Sequence, residues 1–435
     1  MATHQQSMRI HFQKALLPGG WSDSVMVTSD GWRIVDVQSG VANVPNEAIK
    51  VAGAAVPGMT NVHSHAFQRA FAGLSEYRTG QHDSFWTWRR LMYEFLEKLQ
   101  PEDVYEIGKQ LYSEMMLAGY TTVGEFHYLL HQTDGTPYEN VNEMADALIR
   151  AAIDTGIRIC MLPVYYQRGG FDDSPLQGGQ KRFGSNHDLF LKMADKLNSD
   201  WGDHPQVRLG VALHSLRAVS IPAGQALLSD IESILPGCPV HVHVAEQTAE
   251  VDDCLAAHGK RPVQLLMDSY DVNQRWCLIH ATHMDDQELA LVANSGAVVG
   301  VCPTTEANLG DGIFRSEDFL LQQGRLAIGS DSHISVDACE ELRLLEYAQR
   351  LSSRRRAVLC TDQESCGSLL YRWATDGGAQ VTGFGPAAIE PELSCQIGII
   401  DHSGLGTIGV DRYLDYCVFQ SSAAKRLHTS LNLPQ

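Results

Sequence analysis

The ten cysteines of this 435-residue chain never form a Cys-X-X-Cys pair, so the motifs built on that spacing are excluded. Several lie inside apolar, strand-like runs, as buried free thiols do, and are read as reduced packing residues. No run of about 18 apolar residues is present, so no transmembrane helix is expected. Met1 to Ser7 lack the basic start and long apolar core of a signal peptide, which makes the cytosol the expected location. Positive charge is also short, with 33 Lys and Arg against 52 Asp and Glu and a formal charge of −19. That balance argues against nucleic acid or an anionic membrane as partner, and an anionic substrate would need local arginines to overcome the field. Low-complexity segments are absent, and the only repeat is an alternation of strand-like and helix-like stretches.

What remains is ordinary for a globular protein, 44% hydrophobic and 20% charged, and long enough for one large α/β barrel with a satellite. Residues 8 to 56 read as short strands (Met8 to Phe12, Ser24 to Thr28, Trp32 to Val37 and the run ending at Val56), punctuated by Gly19-Gly20 and Ser29-Asp30-Gly31. A core strand follows over 56 to 62. From Ala66 to Gln100 runs a long insertion, a lid by its position, in which Asp83 or Ser84 caps a helix carrying Trp88, Leu91, Met92 and Phe95. Pro101 opens a clearer helix that Gly119 stops. Tyr120 to Phe126, Ile157 to Tyr165, Val207 to Leu213, Pro239 to Val244, Trp276 to Ile279, Ala297 to Val301 and Leu326 to Gly329 then complete a set of eight apolar strands. Eight strands alternating with helices predict a closed parallel (β/α)8 barrel, α/β in class. The expected division is 1–56 for part of a small β domain, 57–390 for the barrel and 391–435 for the rest of the β domain. In that tail Ser394 to Ile400 and Leu414 to Phe419 read as strands completing a β-sandwich satellite built from both chain ends, and Cys339 to Arg350 reads as a helix.

A barrel of this kind carries its chemistry at the carboxyl ends of its strands. There stand His63 and His65, Glu125 to Tyr128, His214 to Arg217, His243 to Glu246, His280, Cys302 to Asn308 and Asp331. His63 and His65 share one face because strand side chains alternate. With His243 and Asp331 they make a set of three nitrogens and one oxygen suited to one divalent ion, zinc or Fe2+. Zinc lowers the pKa of bound water to about 7, so hydroxide is available at neutral pH. Asp331 accepts the water proton, Glu246 carries a proton toward a departing nitrogen, and His280 hydrogen-bonds the nucleophile or the tetrahedral centre. Together they form an acid/base kit for hydrolysing a carbon–nitrogen bond. His241, one layer deeper than His243, reads as packing or support. His127, His283 and His333 take a similarly bland reading, though each lies near a strand end from which it could orient a neighbouring group.

The stretches 61–69 (NVHSHAFQR), 83–89 (DSFWTWR), 302–312 (CPTTEANLGDG) and 329–333 (GSDSH) resemble the amidohydrolase superfamily and, within it, the formimidoylglutamate deiminases of histidine breakdown. The resemblance runs from about residue 8 to 390. At the end of the fourth strand, Leu213-His214-Ser215-Leu216-Arg217 has no lysine of the kind that bridges two metals in binuclear members, so the resemblance implies the mononuclear branch. It implies hydrolysis of N-formimidoyl-L-glutamate to N-formyl-L-glutamate and ammonia, with Gln68, Arg89, Tyr128, His214 and Arg217 binding the substrate. Two carboxylates need cationic partners, which Arg89 and Arg217 supply as bidentate forks. A small dicarboxylate is thus the expected partner, with a homodimer as the candidate assembly. From Leu393 onward the pattern departs, since Cys395 to Asp401 replaces the usual glycine-rich turn and Ala-Asp-Leu strand. Two rival readings are a mononuclear deaminase of an aminopurine or aminopyrimidine, which needs a ring-stacking, amide-lined pocket, and a noncatalytic barrel, which predicts lost ligands.

Overall fold

The structure, a computed structural model, describes residues 7–74, 76, 92–401, 408–420 and 427–428. The barrel strands are β5 (Met59–Ser64), β6 (Tyr120–His127), β7 (Arg158–Tyr165), β8 (Val207–Leu209), β9 (Val211–Ser215), β10 (Val240–Val244), β11 (Trp276–His280), β12 (Val298–Val301) and β13 (Arg325–Ile328). Neighbours pair in the order β5-β6-β7-β9-β10-β11-β12-β13, all parallel, while β8 pairs with β7. The single strand expected over 207–213 is therefore interrupted at Gly210, whose N–H donates to Met161 O at 3.0 Å. Strands β6, β7, β10, β11 and β12 are buried along their whole length, as uninterrupted apolar runs covered on both faces must be.

The ring closes just past the end of β13. Asp331 N donates to His63 O at 2.9 Å and His65 N to Asp331 O at 3.2 Å, so the seam runs through His63, His65 and Asp331. Gly329 makes this approach feasible, because a Cβ there would lie 2.8 Å from His63 Cβ. On the outside, the helix Pro101–Leu117 starts at its proline, with Gln100 N donating to Asp103 Oδ2 at 2.9 Å.

The satellite is a separate sheet drawn from both chain ends. Its strands are β1 (Met8–Leu17), β2 (Gly20–Ser29), β3 (Ile34–Gln38), β4 (Ile49–Pro57), β14 (Ile397–Ile400) and β15 (Leu427–His428), ordered β15-β14-β4-β1-β2-β3. Among the described residues they form one six-stranded sheet, antiparallel except for the β1–β4 pair, over a small core of Ile10, Phe12, Val25, Val27, Ile397 and Ile399.

The expectation for Leu414 to Phe419 is corrected. Tyr413–Phe419 is a helix, and its buried residues Tyr413, Leu414, Cys417 and Val418 recur at helical rather than alternating spacing. It packs on the helices Ala338–Ser353 and Cys366–Gln380, and β15 supplies the pairing to β14 instead. The aromatic helix expected from Asp83 or Ser84, including Trp88 and Arg89, lies outside the described residues apart from its end, where 92–96 is helical.

Candidate active site

Alternation along β5 sends His63 and His65 into the barrel mouth and Ser64 outward. Ser64 Oγ donates to Glu125 Oε2 at 2.5 Å and lies 3.1 Å from His333 Nε2. Pairing registers shift between Asn61 and Ser64 on β5 and between Val242 and His243 on β10. Such irregularities beside a site re-aim side chains, and here they bring three rings together. His63 Nε2 lies 3.0 Å from His243 Nε2 and 3.4 Å from Asp331 Oδ1, and His65 Nε2 lies 3.3 Å from the same oxygen.

The donor set fits a divalent cation. His65 Nδ1 donates to Phe126 O and His243 Nδ1 to His214 O, both at 2.9 Å, so on each neutral ring the Nε2 lone pair faces inward. Burial holds His63 and His243 far below the usual imidazole range, and neighbouring histidines add to it. His65 is lowered by burial as well, against Asp331. Neutral, converging imidazoles beside a carboxylate repel one another's lone pairs unless a cation lies among them. The atoms of His63, His65 and Asp331, and those of His63, His243 and His280, each lie within 4.8 Å of one another.

Backbone strain collects at the same place. Ala245, His280, Ala281, Asp331 and His333 all adopt left-handed φ, between 49° and 65°, at the ends of β10, β11 and β13. Each such residue costs about 1–3 kcal/mol and persists where surrounding contacts over-determine it.

His280 Nε2 stands 3.8 Å from both Glu246 Oε1 and Asp331 Oδ2, so the three groups named as the acid/base kit face one gap. Burial would lower the His280 pKa, but Glu246, the hydrogen bond to Glu306 and Asp331 outweigh it and push it to about 10. Burial raises Glu246, against the pull of His280 and Arg217. A dication in the gap would oppose the charge on His280.

Gln68, Tyr128, His214 and Arg217 line one cavity with His65, His243, Glu246, His280 and Asp331. Gln68 Nε2 donates to Tyr128 OH at 2.7 Å, and Arg217 Nε lies 3.9 Å from Glu250 Oε2. Arg89 lies outside the described residues. His241 sits below His243 and donates to Val381 O at 2.8 Å, away from the donor set. His333 bridges Ser330 Oγ and Ser64 Oγ, and His283 donates to Asp311 O. His127 is buried with no hydrogen-bond partner on either ring nitrogen among the described residues.

Sequence reasoning assigned no role to three buried carboxyls. Glu125 accepts from Ser64 Oγ, Ala66 N and Tyr112 OH beneath the two histidines, and burial raises its pKa to about 7. Glu250 accepts from Glu246 N at 3.2 Å. Glu306 meets His280 Nδ1 at 3.2 Å. Glu306 was visible only as one letter of the 302–312 stretch, and a lone buried carboxyl carries no spacing signal.

Over 379 residues, 86% of this chain and 82% of the relative, the sequence is 47% identical to a formimidoylglutamate deiminase from Pseudomonas aeruginosa. A crystal structure of an amidohydrolase from Brucella melitensis superposes with a TM-score of 0.91 at 42% identity, covering 97% of this chain and 92% of that one. An adenosine deaminase from Xanthomonas campestris, solved with bound zinc, shares the fold at a TM-score of 0.79 and 22% identity, over 97% of this chain and 90% of its own. The model of the amidohydrolase family matches residues 54–388, the span that holds every barrel strand and every converging side chain described above, and the chain belongs to that family.

Proposed function

We propose that the protein hydrolyses N-formimidoyl-L-glutamate to N-formyl-L-glutamate and ammonia. The observation that carries this reading is the 47% identity to a formimidoylglutamate deiminase, together with the convergence of His63, His65, His243, Glu246, His280 and Asp331 on one gap.

His63, His65, His243 and Asp331 would hold one divalent cation, zinc or Fe2+. When bound, the ion supplies Lewis acidity that makes water nucleophilic near neutral pH. Asp331 takes the proton released as water adds to the formimidoyl carbon. His280 presents Nε2 to the oxygen of the tetrahedral carbon, from a position 3.8 Å from both Glu246 and Asp331. Glu246 passes a proton to the departing nitrogen. Ammonia leaves, the carbon–oxygen double bond forms, and the glutamate nitrogen stays attached. Gln68, Tyr128 and His214 orient the substrate, and Arg217 and Arg89 each grip a carboxylate; a hydrogen bond to a charged group contributes roughly 1.5–3 kcal/mol.

Ammonia release from N-formimidoyl-L-glutamate, guanine and cytosine, measured with the metal content of the purified protein, tests the reading. Turnover of the first compound alone, with one metal per chain, is the expected result. Release from a nucleobase but not from formimidoylglutamate would transfer the site to the aminopurine or aminopyrimidine deaminases.

A further inference from the structure

His280 has two ring nitrogens and only one of them faces the reaction. Its Nε2 looks into the gap between Glu246 and Asp331, and its Nδ1 meets Glu306 Oε1 at 3.2 Å. The same Oε1 accepts from Cys302 N at 2.8 Å, so it acts as acceptor to both. That leaves one arrangement of the ring, with the hydrogen of Nδ1 on Glu306 and Nε2 turned to the substrate side. His280 and Ala281 both adopt left-handed φ, 65° and 50°, at this turn of the chain.

The helix that carries Glu306 is in turn tied at two points. Glu306 lies on the short helix Pro303–Leu309 and is buried, 4% exposed. The start of that helix is tied to the helix Ala338–Ser353 by Glu341, which accepts from Thr304 N at 2.9 Å and from Thr304 Oγ1 at 2.5 Å. The next residue, Thr305, donates from Oγ1 to Ser330 O at 3.1 Å and receives Ser332 N at 3.2 Å, on either side of Asp331. One short helix therefore sets the relative placement of His280 and Asp331, whose parent strands β11 and β13 are not neighbours.

From this geometry we propose that Glu306 is a positioning residue for the reaction, acting through His280: it fixes the ring's orientation and tautomer and couples it to the Asp331 loop. The proposal rests on His280 serving the hydrolysis described above. Glu306 lies behind the ring, on its Nδ1 side, so it sets the chemical step and not substrate binding.

The test uses the full-length, metal-loaded protein and the variants Glu306→Ala and Glu306→Gln. Glu306→Ala is expected to lose kcat by roughly 10- to 100-fold, the range for a residue that orients another, with KM within about threefold and metal content at the wild-type level. Glu306→Gln keeps an acceptor oxygen in place and should recover most of that loss. The Nδ1 and Nε2 resonances of 15N-labelled His280 provide a readout apart from turnover: the Nδ1–H tautomer of the wild type should become a mixture in Glu306→Ala and persist in Glu306→Gln. Wild-type kcat in Glu306→Ala, or equal losses in both variants accompanied by lost metal and unchanged His280 resonances, would overturn the proposal. If Glu306→Ala does not fold, Glu306→Gln decides, because a mixed His280 tautomer there, with the acceptor oxygen still in place, would also overturn it. Wild-type turnover of formimidoylglutamate is measured alongside, so an incorrect substrate shows as an inactive wild type, whereas an incorrect role for Glu306 shows as an active wild type with an unaffected Glu306→Ala.

Discussion

Replacing Gly329 by alanine should loosen metal binding without touching a ligand. The added Cβ would lie 2.8 Å from His63 Cβ and 3.0 Å from both His63 N and His63 O, against 3.4 Å for ordinary contact. Those atoms are backbone and a Cβ, which no rotamer change can move. Strand β5 and the 329–331 segment must separate by about 0.6 Å, and the seam bonds Asp331 N to His63 O and His65 N to Asp331 O lie directly across that gap. Overpacking of this size costs about 1–3 kcal/mol. A ligand displaced by roughly half an ångström exceeds the ~0.2 Å tolerance of a metal site, so affinity should fall by about 10- to 100-fold. Competition with a chromophoric chelator gives the metal Kd, and thermal melting of the metal-free protein gives the packing cost separately. Gly19→Ala, whose added Cβ meets nothing within 4 Å, is the control and should match the wild type. A Gly329→Ala protein with wild-type metal Kd and an unchanged Tm would refute the idea that the barrel seam sets the spacing of His63 and Asp331.

Asp331→Asn should fold yet lose at least about a hundredfold in kcat, as expected when a general base is removed; near-normal kcat would exclude that role. Arg217→Ala should raise KM by about 10- to 100-fold, equivalent to roughly 1.5–3 kcal/mol, with kcat little changed, and an unaltered KM would take Arg217 out of the substrate site. Burial holds His127 at about 3, so below its unfolded value near 6.5 the unfolded chain binds a proton that the folded chain refuses. Stability is intact above pH ~6.5 and falls by about 1.4 kcal/mol per pH unit from this group as the pH drops toward the folded value. His127→Gln should therefore show a shallower loss of denaturation midpoint between pH 6.5 and 5, and an identical slope would show that His127 is not held neutral.

The eight barrel strands were legible in the sequence, because strands buried on both faces must be apolar throughout and those segments are. The placement of His63, His65, His243, Glu246, His280 and Asp331 at one mouth was legible too, since the barrel rule turns a strand end into a location. The strand–helix confusion over 413–419 had a local cause: a seven-residue apolar segment fits either period, and only packing against two helices decided it.

By itself, then, the sequence determined which residues are apolar enough to make strands, where those strands end, and which ligating and ionisable side chains stand there. Tertiary structure alone decided how those ends meet. The ring closes through Asp331, the pairing shifts at His63 and His243 that turn three imidazoles inward depend on neighbouring strands, and Glu306 reaches His280 across 26 positions of chain. Side-chain periodicity is a local property that a sequence carries residue by residue. Register, ring closure and the partners of a buried carboxyl are set by contacts between distant segments, and they exist only once the chain has folded around them.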